Sequence, residues 1–292
     1  MTPPIILESE LRWKRSAMRP GEPSATAYSA ARHRAMHQVL EGGRIFRDPL
    51  AWRILGTDHD GLVASGGYHD RPGLRILIAV RHRFGEDRLA ESVAAGTRQV
   101  VVLGAGLDTF ACRNPYPDLI TYEVDFPATG AWKQQRLAAE GIAEPVTLRR
   151  VGVDFETDDL RDRLAAAGFR ADRPAFFLWL GVVPYLTRQA VLRTLRMIAG
   201  ITDAEVVFDY ACPVDHLSEQ ARQARSRFSE RIQRLGEPMM STFDTPELHD
   251  LLGDLGFVVV DDLDRDAIRT RYLGMPRSGE PGSARVIAAR LG

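Results

Sequence analysis

Val100-Val101-Val102-Leu103-Gly104-Ala105-Gly106-Leu107-Asp108-Thr109, followed by Tyr122-Glu123-Val124-Asp125, decides how this chain reads. An apolar run stops at a glycine pair, and a second short run ends in acids. Glycine removes the side chain where a backbone must make a sharp turn or approach a ligand closely. Asp125 arrives 19 residues after Gly106. A strand–turn–helix–strand unit with that spacing sets a carboxylate where it can accept from ribose hydroxyls. The stretch predicts a nucleoside-binding edge on a doubly wound sheet.

Two details narrow the ligand. In the dinucleotide fingerprint a third glycine makes room for a pyrophosphate at the helix start, and Thr109 stands in that place. This argues against NAD or FAD. Asp108 stands where a helix would begin, a position unfavourable for a bound phosphate and suited to a cationic or neutral ligand.

The surrounding sequence extends the pattern. No strand is expected in 1–97. Helices are expected over Ser24–Leu40, from Asp48 as cap with Pro49 in the first turn, and over Leu74–Ala95, with a loop at Tyr68–Gly73. From residue 98 strands and helices alternate. Strands are expected at Gln99–Leu103, Asp118–Val124, Val146–Val151, Ala175–Leu180, Ala204–Tyr210, Phe257–Val260 and Ala284–Ala288. Helices are expected at Pro127–Glu140, Asp158–Ala167, Thr187–Gly200, Val214–Leu235 and Thr245–Leu255, the last capped by Thr245. The strand runs are short and barely alternate, as strands buried on both faces do. Repeated βα units imply a mostly parallel sheet with right-handed crossovers. The expected organisation is a helical cap segment over 1–97 and a Rossmann-like core over 98–292, with a helical insertion near 212–245.

Composition excludes several classes. The net charge is −1 with 38 basic and 39 acidic residues, so no nucleic-acid or anionic membrane partner is expected. Lys14 and Lys133 are the only lysines, which leaves 36 of the 38 basic residues as arginine. Cys112 and Cys212 are far apart and outside any metal-ligand spacing, so neither a disulfide framework nor a metal site is expected. Ile5-Ile6-Leu7 is too short for a signal-peptide core, and the run from Ala175 to Pro184 is far below a membrane span. A soluble, cytoplasmic protein is the expectation; the sequence leaves its oligomeric state open.

The order Gly104-Ala105-Gly106-Leu107-Asp108-Thr109, Tyr122-Glu123-Val124-Asp125-Phe126-Pro127, Val153-Asp154-Phe155 and Val182-Val183-Pro184-Tyr185-Leu186-Thr187 resembles the leucine carboxyl methyltransferase family. Upstream the likeness includes Phe46-Arg47-Asp48-Pro49-Leu50-Ala51 and Arg81-His82-Arg83-Phe84. Downstream it includes Gly236-Glu237-Pro238 and Leu255-Gly256-Phe257. The resemblance implies a class I S-adenosylmethionine-dependent O-methyltransferase, with a seven-stranded, mostly parallel sheet.

By that resemblance Gly104 and Gly106 form the turn under the methionyl-ribose part, Asp125 accepts from the ribose hydroxyls, and Asp154-Phe155 receive the adenine. Arg81 matches the arginine that grips the cofactor carboxylate, for which a bidentate guanidinium is suited. Arg83, two residues on, is the alternative. Arg34 matches a family basic position, and a solvated surface charge reads equally well there. Glu123, two residues before Asp125 on the same strand face, either supports Asp125, lines the pocket or is structural. Family members carry a glutamate where this chain has Leu180, before Gly181. Backbone carbonyls near Gly104 or Gly181 are the expected substitutes.

Tyr185 is the candidate catalytic residue, with core packing as the other reading. Tyr28, His33, Tyr210, His216 and Arg227 are the polar residues expected on cap segments near an acceptor. A carboxylate acceptor needs no general base because it is ionised near neutral pH, and no base is nominated for a phenol or alcohol. The expectation is methyl transfer to a carboxyl or other acidic hydroxyl of a small-molecule or carrier-bound acceptor, in the manner of a secondary-metabolite tailoring enzyme. A non-catalytic cofactor-binding relative and an NAD-dependent oxidoreductase are the alternatives.

Overall fold

In this computed structural model the described residues are 24–64, 71–215 and 217–292. The expectations for Met1–Ser16, for Tyr68–Asp70 of the loop and for His216 lie outside them. Four helices precede the first strand: α1 (Ala25–Leu40), α2 (Ala51–Leu55), α3 (His59–Ala64) and α4 (Pro72–Ala94). Then come β1 (Gln99–Leu103), α5 (Phe110–Arg113), β2 (Ile120–Asp125), α6 (Pro127–Ala139), β3 (Leu148–Gly152), α7 (Leu160–Ala166) and β4 (Phe176–Trp179). A 3₁₀ turn at Val183–Tyr185 leads to α8 (Arg188–Ala199), β5 (Glu205–Ala211), α9 (Glu219–Arg234) and α10 (Thr245–Asp254). The chain ends in β6 (Phe257–Leu263), α11 (Arg265–Leu273) and β7 (Ala284–Leu291).

The seven strands form one sheet in the order β3-β2-β1-β4-β5-β7-β6. β1 pairs in parallel with β2 and β4, and β7 runs antiparallel between β5 and β6. The strand order reverses between β1 and β4. At such a reversal the crossovers leave on opposite faces and open a crevice at the carboxyl ends.

Successive side chains of a strand point to opposite faces. Val100, Val102, Phe176, Leu178 and Val207 pack with Ala79, Val80 and Phe84 of α4 and Ile268 of α11. Val101, Leu103, Phe177, Trp179, Val206 and Phe208 pack with Leu164 of α7, Leu195 of α8 and Leu248 of α10 on the other face. Both faces are therefore covered, which explains the unbroken apolar strand runs. A third cluster joins Ala31, Ala35 and Met36 of α1 to Ile54 of α2, Leu137 of α6 and Leu107 of the glycine turn. No helix of the described residues is long and apolar enough to cross a membrane.

Several local expectations are corrected. The helix expected from Asp48 begins at Ala51. Asp48 has turned into the interior, where its carboxylate takes Arg34 Nε at 2.9 Å and Thr109 Oγ1 at 2.6 Å, with Arg113 Nε 3.4 Å away. Pro72 and Gly73, expected in a loop, open α4. α10 starts after Asp244, not Thr245, whose hydroxyl lies 3.0 Å from Tyr210 Oη. β6 runs past Val260 through a bulge to Leu263 because its acid Asp262 is satisfied by Tyr210, His249 and Arg285. α11 is a helix beyond those expected, capped by Asp264, which accepts from the Ala267 amide at 2.7 Å.

α1 is held at its start as well as along its length. Glu237, three residues past α9, puts its carboxylate against the amides of Ala25 (2.7 Å) and Thr26 (3.0 Å) and accepts from the hydroxyls of Ser24 (3.1 Å) and Thr26. The exposed amides and the positive end of the helix dipole favour an anion there.

Two predictions follow from these anchors. Burial alone would push the Asp48 carboxyl up, but the charges of Arg34 and Arg113 and the Thr109 bond hold it below its usual value. Asp48→Ala leaves the buried Arg34 guanidinium without its anion and takes from Arg113 one of two carboxylates, the other being Glu86, and should cost about 3–5 kcal/mol in urea unfolding at neutral pH. A carboxylate with a lowered folded-state pKa stabilises above its unfolded value, about 3.9, and loses that stabilisation as pH falls through the folded value. The gap between mutant and wild type should therefore narrow in acid. Glu237→Ala should speed amide hydrogen exchange at Ala25–Tyr28 about ten- to a hundredfold, the equivalent of losing bonds to a charged group, while exchange in β1 and β4 stays unchanged.

Candidate functional site

The carboxyl ends of β1, β2, β3 and β4 open onto one cavity of about 360 Å³, roofed by the start of α1 and the end of α9. Arg81, Gly104, Gly106, Asp125, Asp154, Phe155 and Tyr185 all line it. The turn after β1 needs its glycines: Gly104 has φ +63° and Gly106 φ +46°. A Cβ at either would also come within 3 Å of protein, at Val182 and Ala27 respectively. The glycines thus admit the β4 loop and the roof helix to the floor of the cavity.

Asp125, at the end of β2, accepts the Gly106 amide with one oxygen and its neighbour's amide, Phe126, at 2.6 Å with the other. Burial pushes its carboxyl up to about 6, against the opposing effect of those two bonds. Asp154 lies beyond β3, where its Oδ1 accepts from the Glu156 amide at 3.0 Å. It thus shapes a turn while lining the cavity. Glu123 has turned away to a buried cluster with Lys133 Nζ at 2.7 Å and Arg150 Nη1 at 2.8 Å.

Asp108 is committed to protein. Its Oδ1 accepts from the Phe110 amide at 2.7 Å, and Oδ2 is 3.3 Å from His82 Nε2. His82 Nδ1 lies 2.7 Å from the Ile78 carbonyl. Both ring nitrogens of His82 are thus engaged by protein. Burial would raise the Asp108 carboxyl, but His82, Arg34 and Arg113 hold it well below the usual range. Thr109, in the place of the fingerprint's third glycine, is buried and donates to Asp48.

Of the two candidate arginines, Arg81 lines the cavity and is 7% exposed. Arg83 is on the outer side of α4, paired with Asp87. Arg81 Nη1 lies 3.1 Å from Asp209 Oδ2, and its buried Nε has no hydrogen-bond partner among the described residues. The guanidinium lies over Gly181, close enough to exclude any Cβ there. Leu180 is half-buried and packs with the α4 side of the sheet. Tyr185 lines the cavity with its phenol pushed up to about 12 by burial.

Arg34, one of whose readings was a solvated face, is buried, donates to Asp48 and to the Leu107 carbonyl at 2.6 Å, and so ties α1 to the glycine turn. Tyr210 is not on a cap segment; it is buried in β5 and donates to Asp262. Arg227 is exposed and off the cavity, whereas Tyr28 lines it. His33 is buried and pushed down to about 4, first by burial and then by Arg75, Arg71, Arg81 and Arg231.

Sequence reasoning missed three features. Arg71 and Arg231 line the outer part of the cavity with no ion pair among the described residues. Nothing local in an arginine-rich chain marks them. Glu237 clamps the roof. Asp209 lies under Arg81, and its signal was an acid inside the apolar run Val206-Val207-Phe208-Asp209-Tyr210.

The leucine carboxyl methyltransferase family model matches residues 27–199. A relative from Mycobacterium bovis, provisionally named as an S-adenosyl-L-methionine-dependent methyltransferase, is 34% identical over 219 residues, covering 70% of this chain and 62% of its own. A protein of Bacillus subtilis with the same kind of name is 32% identical over 199 residues, covering 66% of this chain and 64% of its own. The chain thus spans somewhat less than two thirds of the length of these relatives. A crystal structure of a DUF574 family protein from Streptomyces avermitilis superposes with a TM-score of 0.54 at 17% identity, over 82% of this chain and 94% of that one. That likeness concerns the fold alone. With the glycine turn, Asp125, Asp154 and Arg81 assembled at the sheet's switch point, the chain belongs to the leucine carboxyl methyltransferase family, whose cofactor is S-adenosylmethionine.

Proposed function

We propose that this chain is an S-adenosylmethionine-dependent O-methyltransferase whose acceptor is a carboxylate, or a similarly acidic oxygen, of a small molecule or carrier-bound metabolite. The observation that carries the reading is a single cavity whose lining brings Asp125, Asp154 and Arg81 together with Arg71 and Arg231, the last two being cations without an ion-pair partner among the described residues. Asp125 offers acceptor oxygens at the position suited to ribose hydroxyls, and Asp154 and Phe155 provide an acid and a ring face for adenine. Arg81 presents a guanidinium with unused donors, suited to the carboxylate of the amino-acid tail. When bound, the cofactor supplies an electrophilic methyl on its sulfonium.

The acceptor's character follows from the groups around it. Arg71 and Arg231 are cations without ion-pair partners among the described residues, beside the apolar side chains Leu74, Phe228 and Leu235. Such a wall suits an anion carried on an apolar body. His82 has both nitrogens engaged, and Tyr185 is a phenol too weakly acidic to serve as a base near neutral pH. A carboxylate arrives ionised and asks for no proton removal. The chain's contribution is then alignment of the nucleophile and exclusion of water by the roof.

A methyl-labelled cofactor offered with carboxylic acids, phenols and alcohols of matched apolar body tests this. The expected product is a methyl ester, which releases labelled methanol in mild alkali. A product stable to alkali overturns the carboxyl assignment. Binding should also respond to pH through Asp125. Its carboxyl, pushed up to about 6, is mostly protonated at pH 5 and ionised above pH 7. The ionised form is the better acceptor for two hydroxyls. Affinity for S-adenosylhomocysteine should therefore rise about tenfold from pH 5 to pH 7, and Asp125→Asn should flatten that rise in calorimetry.

A further inference from the structure

We infer that Asp209 is a positioning residue for the cofactor's amino-acid tail, supplying from β5 a buried carboxylate at the level where β4 ends in Leu180. The inference rests on the cofactor reading proposed above. β4 and β5 pair in parallel with Trp179 opposite Phe208, so the next positions, Leu180 and Asp209, share one level of the sheet. Leu180 packs as a hydrophobe beside α4. Asp209 is 5% exposed at that level. Its Oδ1 accepts the Gly181 amide at 2.5 Å, and its Oδ2 holds Arg81 Nη1 at 3.1 Å.

Charge counting explains why a carboxylate is needed at this level. Arg81 is buried deeply enough that a lone guanidinium there is costly. Asp209 neutralises it and fixes its plane over Gly181, which leaves Nε without a protein partner and directed to no other described residue. The methionine tail of the cofactor is a zwitterion. A carboxylate paired with Arg81 therefore needs a compensating anion for the ammonium nearby, and with Leu180 uncharged the anion at this level is Asp209. Asp209 does not line the cavity, so it acts through Arg81 and the Gly181 amide.

The experiment compares two ligands by calorimetry on the wild-type chain and on Asp209→Asn, an isosteric change that keeps an acceptor for the Gly181 amide. S-adenosylhomocysteine carries the amino-acid tail, and methylthioadenosine has the same adenosine without it. The inference expects Asp209→Asn to weaken S-adenosylhomocysteine about ten- to a hundredfold, in the range for lost bonds to charged groups, and to leave methylthioadenosine within twofold. Equal loss for both ligands means a general disturbance of the fold and overturns the inference. Unchanged binding of both overturns it as well. If the wild-type chain binds neither ligand, the cofactor reading itself has failed, and this inference fails with it.

Discussion

The amide of Gly106 donates to the carboxylate of Asp125, and this bond requires a backbone turn that glycine adopts without strain. Because the turn is tight, the ends of β1 and β2 lie side by side and face the same space. Because it lacks side chains, Val182 from the β4 loop and Ala27 from α1 can close on it. Floor, back wall and roof of the cavity meet there. Any larger residue at Gly104 or Gly106 would push apart elements that arise from four separate parts of the chain.

Around this turn lie arginine–carboxylate pairs, each of which spans distant segments. Arg34 and Arg113 meet at Asp48 and lock α1 to the turn. Arg81 and Asp209 join α4 to β5. Buried charges of this kind contribute little net stability when complete and cost a great deal when broken. They specify which surfaces meet more than they add to the total. Among the described residues that line the cavity, Arg71 and Arg231 are the arginines without a carboxylate partner, which sets them apart from Arg34 and Arg81.

Much of the architecture was legible in the chain. Val100–Leu103, Phe176–Leu178 and Val206–Phe208 are apolar on both faces, which only strands in a covered sheet require. Elements were misjudged where a polar side chain had two possible partners. Asp48 looks like a helix cap and does accept from the Leu50 amide at 3.1 Å, yet Arg34, Arg113 and Thr109 draw its carboxylate into the interior. Asp261 and Asp262 look like the end of β6, yet the strand continues because Tyr210, His249 and Arg285 satisfy Asp262 from other elements.

The sequence by itself determined the alternation of strands and helices, the glycine turn and the spacing to Asp125, because each depends on local periodicity and backbone freedom. Tertiary structure alone decided which charges are spent and which are left for a ligand. It separated Arg81 from Arg83 by helix face, drew Glu123 away to Lys133, engaged both nitrogens of His82, and placed Asp209 at the level of Leu180. A charge's role depends on the partner within about 4 Å of it and on the water excluded around it. Several of those partners, Arg150 for Glu123 and Asp209 for Arg81 among them, lie 27 to 128 positions away, a distance no local pattern encodes.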